Sequence, residues 1–173
     1  MDFNGSFKCS PFFPKGCEVL IAKLAEQDPL FPTRIERWVS LAERGDAHAR
    51  LNLAVIHYRA GNMLEFTELL RRIAEEGDPE AMARYATALV HGVGTIKNLS
   101  MALSWFSEAA KHGHVVGIYG CAFCYLNGEG VTKDIEVGLH FMKKAADLGY
   151  PQAVTYMKHP QTRALEARTH KWS

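Results

Sequence analysis

Apolar residues recur three and four positions apart in segment after segment of the chain. Between residues 99 and 111, Leu99, Ala102, Leu103, Trp105, Phe106, Ala109 and Ala110 fall on one wide stripe of a helix. The pattern repeats. Setting 79–114 above 115–150, an offset of 36, places Gly92 and Gly94 on Gly128 and Gly130, and Lys97-Asn98 on Lys133-Asp134. Trp105-Phe106 then falls on Phe141-Met142, Ala109-Ala110 on Ala145-Ala146, and Gly113 on Gly149. Each copy reads as two helices joined by a glycine loop.

A shorter copy at 46–78 precedes these, with Gly45-Asp46 answered by Gly77-Asp78 at an offset of 32. Its loop, YRAGNMLEF, has no Gly-x-Gly. A more degenerate unit at 16–45 offers a first helix over about 16–27, ended by Asp28-Pro29, and a second beginning near Pro32. A partial repeat at 151–160 runs into Pro160. The repeat domain is thus expected over 16–160, flanked by an N-terminal arm or cap (1–15) and a polar C-terminal tail (161–173).

One helix pair cannot bury two apolar stripes, whereas stacked pairs can. The expected fold is therefore all-α, a right-handed α/α superhelical solenoid of about four to five antiparallel helix pairs. Small residues at matching positions, Ala81 with Gly117, Ala86 with Ala122 and Ala102 with Gly138, let the helix axes approach. Gly45, Gly77, Gly113 and Gly149 stand just past the second helices, where a left-handed residue closes a helix.

The loops HGVGTIKN and NGEGVTKD contain Gly-x-Gly. They lack the preceding strand and third glycine of a dinucleotide site and the Gly-Lys-Ser/Thr of a phosphate loop. Their glycines are read as ending one helix and turning the chain into the next, with Asn98 and Asp134 as caps. The arrangement Ala-x3-Leu/Tyr-Ala-x2-Tyr/Leu-x2-Gly-x-Gly-Val/Thr-x-Lys-Asp/Asn, then Ala-x2-Trp/Phe-x3-Ala-Ala-x2-Gly, resembles the Sel1-like repeat, a relative of the tetratricopeptide repeat. It is met most fully by 81–113 and, with Gly117, Cys121 and Gly138 as departures, by 117–149. The resemblance implies an adaptor in signalling, secretion, envelope assembly, protein degradation or host–bacterium contact, and not an enzyme. Some secreted members staple each hairpin with a C-x7-C disulfide, but the corresponding repeat positions here are not cysteines.

Composition narrows the function classes. With 47% hydrophobic residues the chain can build a sizeable core. Twenty basic against nineteen acidic residues, in alternating signs, give a formal charge of +1, which argues against a nucleic-acid partner. No apolar run is long enough for membrane insertion, and the first residues do not read as a secretory signal, so a cytoplasmic location is expected. Four cysteines in the pairs Cys9/Cys17 and Cys121/Cys124 do not require an oxidising compartment.

Candidate chemistry is sparse. Cys121 and Cys124, one helical turn apart with His112 and His114 upstream, could be imagined as a zinc or redox site. A mid-helix C-x2-C lacks the usual knuckle, and core packing in the slot of Tyr85 is the simpler reading. His57, His91 and His140 are scattered; a Cys-His or Ser-His pair could form between helices, but without an evident oxyanion hole for a hydrolase. Glu75, Glu76, Asp78 and Glu80 suit a helix start. No catalytic residue, metal or cofactor is expected.

Recognition of a protein or peptide is the favoured function, on a concave face lined by first helices. The candidate partner-binding residues are Arg50, Asn52, Arg84, Thr87, Tyr119 and Phe123. Tyr119 and Phe123, four apart, would form an aromatic strip, an idea that fails if both are buried. An inhibitor or immunity-type protein that blocks an enzyme is the alternative class. Phe3, Phe7, Phe12 and Phe13 in the arm could cap the first hairpin or bind a partner, and an uncapped end could join a homodimer. Gly113→Val should destabilise the protein by about 1 kcal/mol or more, read from the midpoint of urea unfolding, because valine resists the left-handed backbone.

Overall fold

Aspartate and asparagine start the helices that cap chemistry assigns to them. Asp46, Asp78, Asn98 and Asp134 each accept a hydrogen bond from the backbone N–H three residues on, at 2.8, 2.7, 3.0 and 3.0 Å. The fold, obtained as a computed structural model, describes Pro14, residues 16–159 and Thr162. The rest of the arm and of the tail lies outside the described residues, as do Cys9 and the arm phenylalanines Phe3, Phe7, Phe12 and Phe13. The helices are α1 (Glu18–Gln27), α2 (Phe31–Glu43), α3 (Ala47–Arg59), α4 (Met63–Glu75), α5 (Pro79–His91), α6 (Leu99–Lys111), α7 (Val115–Asn127), α8 (Ile135–Asp147) and α9 (Pro151–Lys158). No strand occurs among the described residues, and the protein is an all-α solenoid of helix pairs.

The chain divides into two compact units. The first runs to Glu76 and also includes Val93–Thr95; the second comprises Gly77–Gly92 and the chain from Ile96 onward. In the first, Cys17, Ile21, Phe31, Ile35, Val39, Ala42, Ala49, Leu53 and Ile56 make one core. In the second, α5 packs on α6, α6 on α7, α7 on α8 and α8 on α9, while α5 also touches α7. Fully buried Leu89, Ile118, Cys121 and Cys124 fill this stack. Burial of a side chain the size of Ile118 contributes about 2 kcal/mol, so covering each stripe with the next pair outweighs any propensity term.

The second helices end in left-handed glycines. Gly113 has φ +76°, its N–H donates to Ala110 O at 3.0 Å, and the His114 N–H donates to Ala109 O at 3.0 Å. This is the Schellman arrangement. An added Cβ at Gly113 would meet nothing within 4 Å, so the cost of replacing it is a backbone cost alone.

The loop glycines do more than turn the chain. Gly92 and Gly128 are left-handed caps of α5 and α7. The second glycine of each loop lies against another backbone. A Cβ on Gly94 would stand 1.8 Å from the Met63 carbonyl oxygen at the start of α4, and one on Gly130 would stand 2.4 Å from the Leu99 carbonyl. Each contact carries a hydroxyl bond, Thr67 Oγ1 to Val93 O at 2.7 Å and Ser100 Oγ to Gly130 O at 3.0 Å. Gly94→Ala should therefore destabilise by roughly 2 kcal/mol or more, exceeding the loss in Gly113→Ala. Equal urea midpoints for the two variants would contradict that ordering.

Candidate functional site

Among the described helices only α7, VVGIYGCAFCYLN, has no Asp, Glu, Lys or Arg, and two glycines interrupt it. At Gly117 the absent side chain admits α6, since a Cβ there would lie 2.6 Å from the Ala109 methyl. At Gly120 it admits an aromatic ring: a Cβ would lie 2.4 Å from the ring of Phe106. Phe106 is thereby laid against the α7 backbone, where it floors a recess of about 340 Å³. Thr87, Val90 and His91 of α5 form one wall, Val116, Tyr119 and Phe123 of α7 another, and Tyr150 before α9 closes an end.

The recess is apolar and aromatic. Tyr119 is half-buried with its ring 4.7 Å from that of Tyr150, and Phe123 is 38% exposed at the mouth. Burial first, and then the neighbouring Tyr150 phenol, hold the Tyr119 phenol above its ordinary pKa. The Thr87 hydroxyl is already committed to Ala83 O at 2.8 Å. The lining thus has no Asp, Glu, Lys or Arg to anchor a charged ligand.

Of the six residues suggested by the sequence, Thr87, Tyr119 and Phe123 meet around this recess. Arg84, one turn back along α5, is exposed and bound to Glu80 Oε1 at 2.6 Å; Glu80 also faces His114 Nε2 at 3.2 Å. In the other unit Arg50 donates through Nε to Ala42 O at 3.1 Å, closing the end of α2, and its guanidinium pairs with Glu76. Asn52 is exposed on α3. Sequence reasoning did not place Val90, His91, Phe106, Val116, Gly120 or Tyr150 among the partner-binding candidates, and named His91 only as a scattered histidine. The available signal was Gly120, a glycine in mid-helix where the preceding copy has Arg84.

Residues 79–114 and 115–150 each match the family model described as Sel1 repeat. The chain contains two Sel1 repeats. It is 36% identical over 87 residues to Protein SHC1 of Saccharomyces cerevisiae, covering 50% of this chain and 17% of that one. It is 31% identical over 159 residues to Protein sel-1 homolog 2 of Homo sapiens, covering 84% of this chain and 23% of that one. The chain therefore spans less than a quarter of either relative. Among solved structures it is similar to a Sel1 repeat protein from Oxalobacter formigenes, with TM-score 0.64 and 28% identity over 71% of this chain and 96% of that one. Sel1 repeats generally mediate protein–protein interaction.

The thiols of Cys17, Cys121 and Cys124 are buried in the cores. Cys121 and Cys124 are fully buried, and burial pushes their pKa values up to about 12 and about 11. No group of three or more His, Cys, Asp or Glu able to hold a metal occurs among the described residues. A Cys-His pair does form in the first unit: Cys17 Sγ lies 3.7 Å from His57 Nδ1, and Asn62 Nδ2 donates to Cys17 Sγ at 3.3 Å. Both partners are buried, at 1% and 6% exposure. Burial raises the thiol and lowers the imidazole, which favours the neutral pair over the thiolate that nucleophilic chemistry needs. No helix among the described residues is long and apolar enough to cross a membrane. Cys121 and Cys124 should react with a disulfide reagent at pH 7.5 at least about 100-fold more slowly in the native protein than after unfolding. The difference is read as absorbance against time with and without denaturant.

Proposed function

We propose that the protein is a non-catalytic docking module that binds a partner protein on the first-helix face of its Sel1 repeats. The partner inserts a bulky uncharged side chain, aromatic or large aliphatic, into the recess over Phe106. The observation that carries this reading is Gly120, whose missing side chain opens the face of α7 onto the Phe106 ring. A mid-helix glycine costs about 1 kcal/mol relative to alanine, and here it leaves an aromatic hollow instead of a covered helix. The volume of about 340 Å³ is enough for one large side chain. Tyr119, Phe123 and Tyr150 supply ring faces and edges of the kind that dominate interface energetics.

Partner specificity on this reading comes from shape and from a lining without Asp, Glu, Lys or Arg, with Arg84 and Glu80 forming a polar rim one turn away. Arg50 acts structurally, because its guanidinium is engaged by Ala42 and Glu76. A cytoplasmic location is compatible with core thiols that are reduced at Cys121 and Cys124.

Affinity capture from host lysate tests this with three baits: the wild type, Tyr119→Ser with Phe123→Ser, and Thr87→Trp, which fills the recess from its exposed wall. Each bait is first shown to be folded by circular dichroism. A protein retained by the wild type should be lost from both variants, with affinity lowered roughly 30-fold or more, the effect of losing about 2 kcal/mol at a hot spot. Retention unchanged in both variants would place docking elsewhere. Loss in the serine variant with full retention by Thr87→Trp would remove the insertion step.

A further inference from the structure

The Cys17–His57–Asn62 cluster joins three separate segments: the turn before α1, the last turn of α3 and the residue that precedes α4. We propose that it is an acid-sensitive latch, in which protonation of His57 releases Cys17 and α1 from the α3–α4 pair and uncovers apolar surface on α2 and α3.

Among the described residues, the other holds on α1 are apolar. Ile21 is its one fully buried side chain among the described residues, helped by the partly buried Leu20 and Leu24. Cys17 is tied to the start of that helix, since its carbonyl accepts the Ile21 N–H at 2.9 Å and its own N–H donates to Pro14 O at 3.2 Å. A displaced Cys17 therefore carries the first turn of α1 with it. On the opposite side the cluster is fixed by backbone, because the Asn62 N–H donates to the His57 carbonyl at 2.9 Å.

The charge on a protonated His57 would have little to meet it. Burial holds the imidazole below its ordinary value, and the negative charge of Glu65 on α4 only partly offsets it. From the α1 side it meets the Cys17 thiol, which burial keeps protonated despite the Asn62 hydrogen bond, with Glu18 and Glu65 acting in the same sense as burial. α2 supplies the apolar residues Phe31, Ile35, Val39 and Ala42 to the core that Cys17 joins. Opening gives the imidazolium water. A base with a lowered pKa in the closed form stabilises that form above the ordinary histidine value of about 6.5, and the stabilisation is lost as pH falls from there through the lowered value. Ile35, Val39, Leu53 and Ile56 share the core with Ile21, so the opened unit would present an apolar face only in acid.

Hydrogen exchange of the full chain at pH 7.5 and 5.5, corrected for intrinsic rates, reads the latch directly. The α1 amides of the wild type should open more often at pH 5.5, with a ceiling of about tenfold, and those of His57→Gln, neutral at both values, should not. In parallel, the His57 ring of the wild type is titrated by NMR, which needs no variant and decides the matter if His57→Gln fails to fold. A ring midpoint below the ordinary value that coincides with lost α1 protection supports the latch. Ring protonation with α1 protection unchanged, or equal pH dependence in His57→Gln, overturns it.

Discussion

An amphipathic helix pair leaves an apolar stripe that only another pair can cover, and the structure follows from how closely the covering pair can approach. The approach is limited by side chains at the contact, which is why those positions hold alanine or nothing. Ala102, Ala109, Ala122 and Ala145 are fully buried, and Gly117, Gly120 and Gly138 leave no room for even a methyl group. Such contacts gain dispersion energy and water exclusion together, and they fail sharply because packed interiors do not stretch.

The same requirement creates the recess. Where a helix meets its neighbour through a glycine on the buried side, the result is tight packing, as at Gly138 against Leu126. Where the glycine lies beside a recess, as at Gly120, the neighbour's buried ring packs against the helix backbone and lines the floor of the recess. Phe106 is thus both a core residue and the floor of a hollow, and the aromatic residues around it share that double environment. Binding energy on such a surface comes from the last water excluded, which favours a large apolar group over a charged one.

The cysteines show how far residue type is from residue role. Cys121 and Cys124 are spaced like metal ligands yet serve as small apolar fillers, their thiols held protonated by the core around them. Among the described cysteines Cys17, outside the clear repeats, is the one hydrogen-bonded to a histidine. Its partners come from positions 40 and 45 residues away, a separation that no local spacing rule covers.

Periodicity and turn chemistry determine local outcomes, and these were legible in the chain alone: the all-α class, the 36-residue repeat, the caps at Asn98 and Asp134, and the left-handed Gly113 and Gly149. They rest on interactions within one or two turns of helix. Thr87, Tyr119 and Phe123 could also be placed on first-helix faces, because helical spacing alone fixes which residues share a side. Their convergence with Val90, His91, Phe106 and Tyr150 could not, since it depends on the rotation and separation of α5, α6, α7 and α9. The second loop glycines do turn the chain, but their close approach to another backbone was not legible for the same reason, as the Met63 carbonyl beside Gly94 lies in another repeat. Sequence determined which helices form; only the packing of one pair on the next decided which side chains meet, because contact across helices is set by distances that no single helix encodes.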